Sequence, residues 1–309
     1  MHWGGIVSKL VVDVESKLVK LLSSFINLVV VKLPDDVYAK LCELRSREDS
    51  AWGKFIYDAM FRNIELALQR RAPLCQDTGV LEFFISLGED FPHKSALLKA
   101  LREAVIASTQ QGFLRPNVVD PVSDRNTGNN VGPRVPWVEV EVVPGASHAD
   151  VRLYVAGGGS SRPGRATTLD PAEGWEGLVR LVVDTVIEYG AAACPPLFVG
   201  IGIGATVNMA AKLSKVALLR PLGSRNPEPK VARLEEVLEE ELNKLGIGPQ
   251  GLGGLTTVGA VHIEYAGRHP ATFAVAISTA CWALRKGHLR IYPDMTCELL
   301  SHRGERLEY

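Results

Sequence analysis

With 309 residues, 46% of them hydrophobic and 22% charged, this chain has the make-up of an ordinary folded protein. Its 34 Lys and Arg nearly balance 35 Asp and Glu, so no global basic field recruits nucleic acid, and its longest apolar run, residues 21–31, is too short to cross a membrane. Five cysteines form an odd count with no C-x-x-C pair and no secretory signal ahead of them, which argues against a disulfide framework and for the reducing cytoplasm.

Residues 6–31 place apolar side chains at helical spacing, and the run 21–31 reads as a buried helix or a face that meets another subunit. Pro34, Asp35 and Asp36 open a second helix, to about Arg45, because acidic side chains suit the positive end of a helix. A third covers residues 50–69, with Trp52, Phe55, Ile56, Met60 and Ile64 on one face. Pro73 ends it, and the turn Cys75-Gln76-Asp77-Thr78-Gly79 follows. Residues 80–87 read as a buried strand and 93–110 as a helix. Residues 115–136, rich in Pro, Asn, Asp and Gly, read as a long ordered loop of the functional kind. Strands are expected at 138–143 and 151–155, a glycine-rich polar loop at 157–170 and a helix at 175–188.

Cys194-Pro195-Pro196 leads into a strand at 197–203, then a helix to about Leu219 and an acidic amphipathic helix at 233–244. The glycine-rich stretch 246–254 precedes strands at 256–265 and 271–278; Cys281 opens a short segment before a last strand at 289–292. Helices and strands mix without a regular βαβ rhythm. The expected fold is mixed α/β, with helices packed around more than one β-sheet. Residues 1–32 are expected as an N-terminal helical segment and 33–309 as a single catalytic domain.

Cys75, Cys194 and Cys281 each stand alone in apolar or glycine-rich surroundings. If they converge they offer three thiolates. A cubane iron–sulfur cluster normally takes four, so three leave one iron open as a Lewis acid. Ordinary buried cysteines are the alternative. Gln76, Asp77 and Thr78 beside Cys75 are groups that orient a bound substrate, or simply satisfy a polar turn. Arg115 is suited to clamp a carboxylate or to a rim salt bridge. The amides and glycines of 126–130 can cradle carboxylates through backbone N–H groups. Gly157, Gly158 and Gly159 let backbone approach a ligand closely, or make a flexible turn. Gly200, Gly202 and Gly204 mimic a dinucleotide fingerprint but lack its third offset, so that reading is rejected. His262 and His269 flank a strand pair, where a lone His is more often structural. No metal-ligand spacing suits zinc. Cys42, on an amphipathic helix, reads as core, and Cys297 as a spare thiol.

The motifs CQDTG, LRPN, NTGNNVG, GGGS, ACPP, GIGIG, RHP and CWALRKG occur here in that order. Together they resemble the alpha subunit, or N-terminal domain, of the iron–sulfur hydro-lyases that include class I fumarases and L(+)-tartrate dehydratases. The resemblance runs from about Leu33 to Ser301. It implies that Cys75, Cys194 and Cys281 bind a [4Fe–4S] cluster with one substrate-binding iron. It also implies substrate-binding roles for Gln76, Arg115 and Gly158, and catalytic roles for Asp77 and His269. Within the family, LPDDV at 33–37, VPWVEVEVVP at 135–144, PGR at 163–165 and IGPQGLGG at 247–254 look closer to the tartrate dehydratase type. One departure is that Ser160 and Ser161 stand where some tartrate-type members have a cysteine.

The implied activity is dehydration of a 2-hydroxy C4 dicarboxylate, L(+)-tartrate to oxaloacetate, with fumarate hydration as the alternative. The implied partner is a beta subunit that completes the site, in an α2β2 assembly. Two other classes compete: a zinc or thiol enzyme using the same cysteines, and a non-enzymatic scaffold subunit. Dense polar loops argue against a scaffold, which has no need to gather Cys, Asp, Arg and His at loop ends.

Overall fold

Three long helices open the chain: α1 (Trp3–Val31), α2 (Asp35–Arg47) and α3 (Ala51–Arg70). The computed structural model describes the backbone from Trp3 to Tyr309 and the side chains from Val14 onward. Then come β1 (Val80–Gly88), α4 (Lys94–Gln110), the two-residue strands β2 (Val119–Asp120) and β3 (Arg125–Asn126), β4 (Trp137–Val143) and β5 (Ala149–Ala156). The middle of the chain holds a single turn α5 (Gly158–Ser161), β6 (Arg165–Leu169), α6 (Gly174–Tyr189), β7 (Leu197–Gly204), α7 (Val207–Leu219) and α8 (Pro229–Asn243). It closes with β8 (Val258–Tyr265), β9 (Phe273–Ala280), β10 (Lys286–Ile291) and β11 (Cys297–Leu299). The mixed α/β expectation, with more than one sheet, holds. Among the described residues no helix is long and apolar enough to cross a membrane.

The division of the chain differs from the expected one. Two compact units form, and neither is continuous in sequence. The first comprises Met1–Asp35, Ile64–Ala156 and Arg285–Tyr309; the second comprises Asp36–Asn63 and Gly157–Leu284. The reason is that each sheet builds its own core. α1 is no separate segment, because its apolar stripe is part of the first core.

In the first unit the sheet order is β11-β10-β5-β1-β4. Leu21, Phe25 and Val29 of α1 and Leu97, Leu101 and Val105 of α4 bury against Phe83, Ile85, Val151, Leu153 and Leu289 of the sheet. Each such side chain contributes about 1.5–3 kcal/mol by leaving water. α1 lies so close to β10 that a Cβ on Gly287 would stand 2.5 Å from a Val29 methyl. β5 runs antiparallel to β1 and to β10, while β4 runs parallel to β1. The starts of β1, β4 and β10 and the end of β5 therefore share one end of the sheet.

The second unit has the order β6-β9-β7-β8. One face buries Val199, Ile201, Val261 and Val275 under Leu178 and Val182 of α6 and Leu238 and Leu242 of α8. The other face is built of small residues so that α7 can lie on it. A Cβ on Gly202 would be 1.9 Å from the Ala210 carbonyl oxygen, and one on Gly200 2.1 Å from that of Ser214. The GIGIG run is thus a helix-packing device, consistent with rejecting a nucleotide site. β7 and β8 are parallel, and β9 is antiparallel to both β6 and β7. The starts of β6, β7 and β8 and the end of β9 share one end.

Several sequence expectations are corrected. Residues 157–170 are not one loop: α5 and β6 form there, β6 because it pairs with β9. On α3 the buried stripe is Tyr57, Met60, Ile64 and Ala67, while Trp52 and Phe55 are exposed and stack edge-on against each other. Cys42 is exposed and not core.

Candidate active site

In the first unit the Cys75 turn is tied down by side chains. The Leu74 N–H donates to the Val30 carbonyl at 2.9 Å, fixing the turn to the end of α1. Asp77 Oδ1 accepts the Gly79 N–H at 2.9 Å and the Asn117 amide at 3.2 Å. Gly79 sits at φ +69°, where a Cβ would be 2.8 Å from the Ala156 carbonyl oxygen, so no larger residue fits. The buried Thr78 hydroxyl accepts the Arg115 N–H at 2.9 Å. Asn130, buried and at φ 61°, accepts the Asn117 N–H at 2.7 Å and donates to the Arg115 carbonyl at 3.0 Å. The 115–130 loop and the Cys75 turn are therefore one hydrogen-bonded body.

That wiring holds the Arg115 backbone against Thr78, three residues after Cys75; Arg115 and Gln76 are exposed, Cys75 and Asp77 half-buried. The side-chain amides of 126–130 are largely spent on holding their own loop. Asn126 accepts the Gly128 N–H, Asn129 accepts the Val131 N–H and Asn130 is consumed as described. Thr78, Asn117 and Asn130 are structural partners of the site; their sequence signal was an Asn-rich loop with Gly at turn positions.

In the second unit Cys194 and Cys281 come together. Cys194 is exposed and left-handed, at φ 58° and ψ 64°, a conformation non-glycine residues adopt at a cost. Its carbonyl accepts the N–H of Trp282, the residue after Cys281, at 3.2 Å. The next carbonyl, that of Pro195, accepts the Gln250 N–H at 2.8 Å. The loop carrying Gln250 is held in turn by Glu48, which is buried and accepts the Leu255 N–H at 3.0 Å, the Thr256 hydroxyl at 3.1 Å and the Ser50 hydroxyl at 2.9 Å. Burial opposes ionisation of Glu48, but these donors outweigh it and hold its carboxyl below the ordinary range. Tyr57 completes the set at 2.8 Å from Thr256, and burial pushes its phenol well above its usual value.

Gly158 is exposed at the start of α5, whose Ser160 carbonyl accepts the Thr279 hydroxyl. Gly158 thus shares the Cys194 and Cys281 end of the second sheet. His269 does not. It lies in the turn before β9, exposed, with its Nδ1 accepting the Ala271 N–H at 3.1 Å. An eight-residue strand separates it from Cys281, a span of roughly 25 Å at the usual rise. His262 is structural: it is buried with Nδ1 at 3.1 Å from the Ala217 carbonyl oxygen. Among the described residues no three His, Cys, Asp or Glu side chains converge on a single-ion site. Thiolates on separate irons of a cubane need no such convergence.

The model of the family described as fumarate hydratase (Fumerase) matches residues 19–290. The chain belongs to the fumarate hydratase family. It is 47% identical over 292 residues, 94% of this chain and 96% of the relative, to the L(+)-tartrate dehydratase subunit alpha of Escherichia coli. The corresponding subunit of Shigella sonnei is 46% identical over the same shares. The resemblance drawn from the motifs is thereby borne out, and with it the enzyme class: this member of the fumarate hydratase family is a hydro-lyase.

Proposed function

We propose that this chain is the cluster-bearing alpha subunit of a [4Fe–4S]-dependent hydro-lyase that dehydrates L(+)-tartrate to oxaloacetate. The observation that carries the reading is near-full-length identity of 47% to a tartrate dehydratase alpha subunit. The donor chemistry fits a cluster: none of the five cysteines is in a disulfide, and the Trp282 N–H bond to the Cys194 carbonyl joins the Cys194 and Cys281 segments at one sheet end. Cys75, Cys194 and Cys281 are the residues that would hold it. When bound, the cluster supplies an open iron that polarises the C–O bond of the leaving hydroxyl.

The chain's own residues do the rest. Loss of hydroxide from one carbon and of a proton from its neighbour gives water and an enol, which becomes the ketone of oxaloacetate. Arg115 pairs with a substrate carboxylate, and its exposed guanidinium suits a ligand arriving from solvent. Gln76 hydrogen-bonds substrate, and Gly158 offers backbone without a side chain in the way. Asp77 is the candidate for acid–base or orienting work. His269, proposed alongside it, draws no support from its place at the far end of β9. A beta subunit completes the site in an α2β2 assembly, in keeping with the relatives' name of subunit alpha. Cysteines without disulfides accord with a cytoplasmic setting.

Fumarate hydration is the second reading, favoured by the family model that covers residues 19–290. The test is kcat/KM of the anaerobically reconstituted complex for L-tartrate, L-malate and fumarate. Tartrate is expected to lead, because a site that hydrogen-bonds the second hydroxyl leaves polar groups unpaired with malate. A clear preference for malate or fumarate overturns the substrate and keeps the reaction class. Full activity of this chain alone overturns the need for a beta subunit.

A further inference from the structure

Arg285 is 2% exposed, yet its Nε and Nη1 have no hydrogen-bond partner, and it enters no ion pair among the described residues. A buried donor left unmade costs about 1–3 kcal/mol, and more when it is charged. Such a group calls for an anionic acceptor. The sheet fixes where that acceptor lies. The Arg285 carbonyl accepts the Val155 N–H at 3.0 Å, Lys286 pairs with Tyr154, and Ala156 pairs with Val80. The last residues of β5 therefore have Arg285 on one side and the Cys75–Gly79 turn on the other. Cys281 stands four residues earlier in the chain.

Arg115 and Arg285 differ in one decisive respect. Arg115 is open to solvent and suits an exchanging carboxylate, whereas Arg285 is shut away from it. An anion that meets Arg285 must be seated inside the protein and stay there. We infer that Arg285 donates hydrogen bonds to sulfur of the iron–sulfur cluster, or of its cysteine ligands, and acts as a positioning residue that sets the cluster's charge balance. The inference rests on the cluster reading above. Hydrogen bonds to sulfur and nearby charge set a cluster's reduction potential. A cation beside the cluster stabilises its more negative, reduced form, so removing the cation disfavours reduction.

The test compares wild-type full-length chain with Arg285→Met and Arg285→Lys, purified anaerobically and reconstituted with iron and sulfide. Three quantities are measured: iron and sulfide content, the cluster midpoint potential by spectroscopically monitored titration, and the melting temperature of cluster-free protein. Cluster-free Arg285→Met is expected to melt at or above wild type, because an unpaired buried charge is gone. Its cluster is expected to show at least a tenfold smaller equilibrium constant for reduction, about 59 mV for one electron. Arg285→Lys is expected to fall between. Equal potentials in wild type and Arg285→Met, or a cluster-free Arg285→Met that melts well below wild type, overturn the inference alone. A wild-type chain that takes up no iron overturns the cluster reading and this inference with it.

Discussion

The Cys75 turn of the first unit and the Cys194 loop of the second solve one problem with different chemistry. Around Cys75 the clamps are side chains: Asp77, Thr78, Asn117 and Asn130 each bond a backbone or side-chain group of the neighbouring segment. Around Cys194 the clamps are main-chain groups, carbonyls 194 and 195 meeting the N–H groups of Trp282 and Gln250, with one buried carboxylate, Glu48, behind them. The side-chain clamp is read easily in sequence and broken easily by substitution. The backbone clamp is nearly invisible in sequence, and its weak points are glycines and Glu48. Gly254, for example, would put a Cβ 2.8 Å from a Glu48 oxygen.

The comparison breaks most sharply at the cysteines themselves. Cys194→Ser and Cys281→Ser are each expected to abolish iron retention and turnover in the reconstituted complex, while Cys42→Ser, on an exposed position, leaves both at wild-type levels. Iron assays on the three variants decide this. Next comes Asp77→Asn, which keeps the Oδ1 acceptor for the Gly79 N–H and hence the turn. It is expected to lower kcat by about 10²–10⁴, the usual weight of a general acid or base. Wild-type kcat with an intact cluster would remove Asp77 from the chemistry. Arg115→Ala is expected mainly to raise KM, by about 10-fold to 100-fold, with kcat less affected, as loss of a charge-assisted contact to bound substrate would give.

Stability sharpens the same contrast. Asn130→Ala and Glu48→Ala each leave buried backbone donors or acceptors without partners, and each is expected to cost about 1–3 kcal/mol in denaturant melts. The smallest expected effect lies away from the site, at Asp150. Burial raises the cost of its charge, but Arg290 and His288 beside it hold its carboxyl well below the ordinary value of 3.8. A depressed folded pKa gives stability that is present above the ordinary value and lost as pH falls below it. Asp150→Asn should therefore flatten the acid limb of the stability profile, and an unchanged limb below pH ~4 would remove the Arg290 pair from that role.

Much of this was legible beforehand, for physical reasons that can be named. The stripe of α1 announces itself because burial repeats with the helix's own period, and β1 because its apolar run is buried. The polar loops were legible because Cys, Asp, Asn and Gly gather there. β6 was misread because RATTL is short and half-polar, and becomes a strand only by pairing with β9. Trp52 and Phe55 follow helical spacing yet face solvent, since spacing marks a stripe and not what covers it. Glu48 and Arg285 were illegible because a charged residue in sequence gives no sign of being buried. The interleaving of the two units was illegible too, being set by which sheet each segment joins.

Iron and acid-labile sulfide in anaerobically purified full-length chain, measured beside Cys75→Ser, test the central claim most directly. The account predicts iron and sulfide in equal amounts with broad visible absorption in wild type, and loss of both in the variant. Zinc without sulfide, or a Cys75→Ser chain that keeps its full iron and sulfide, would contradict it.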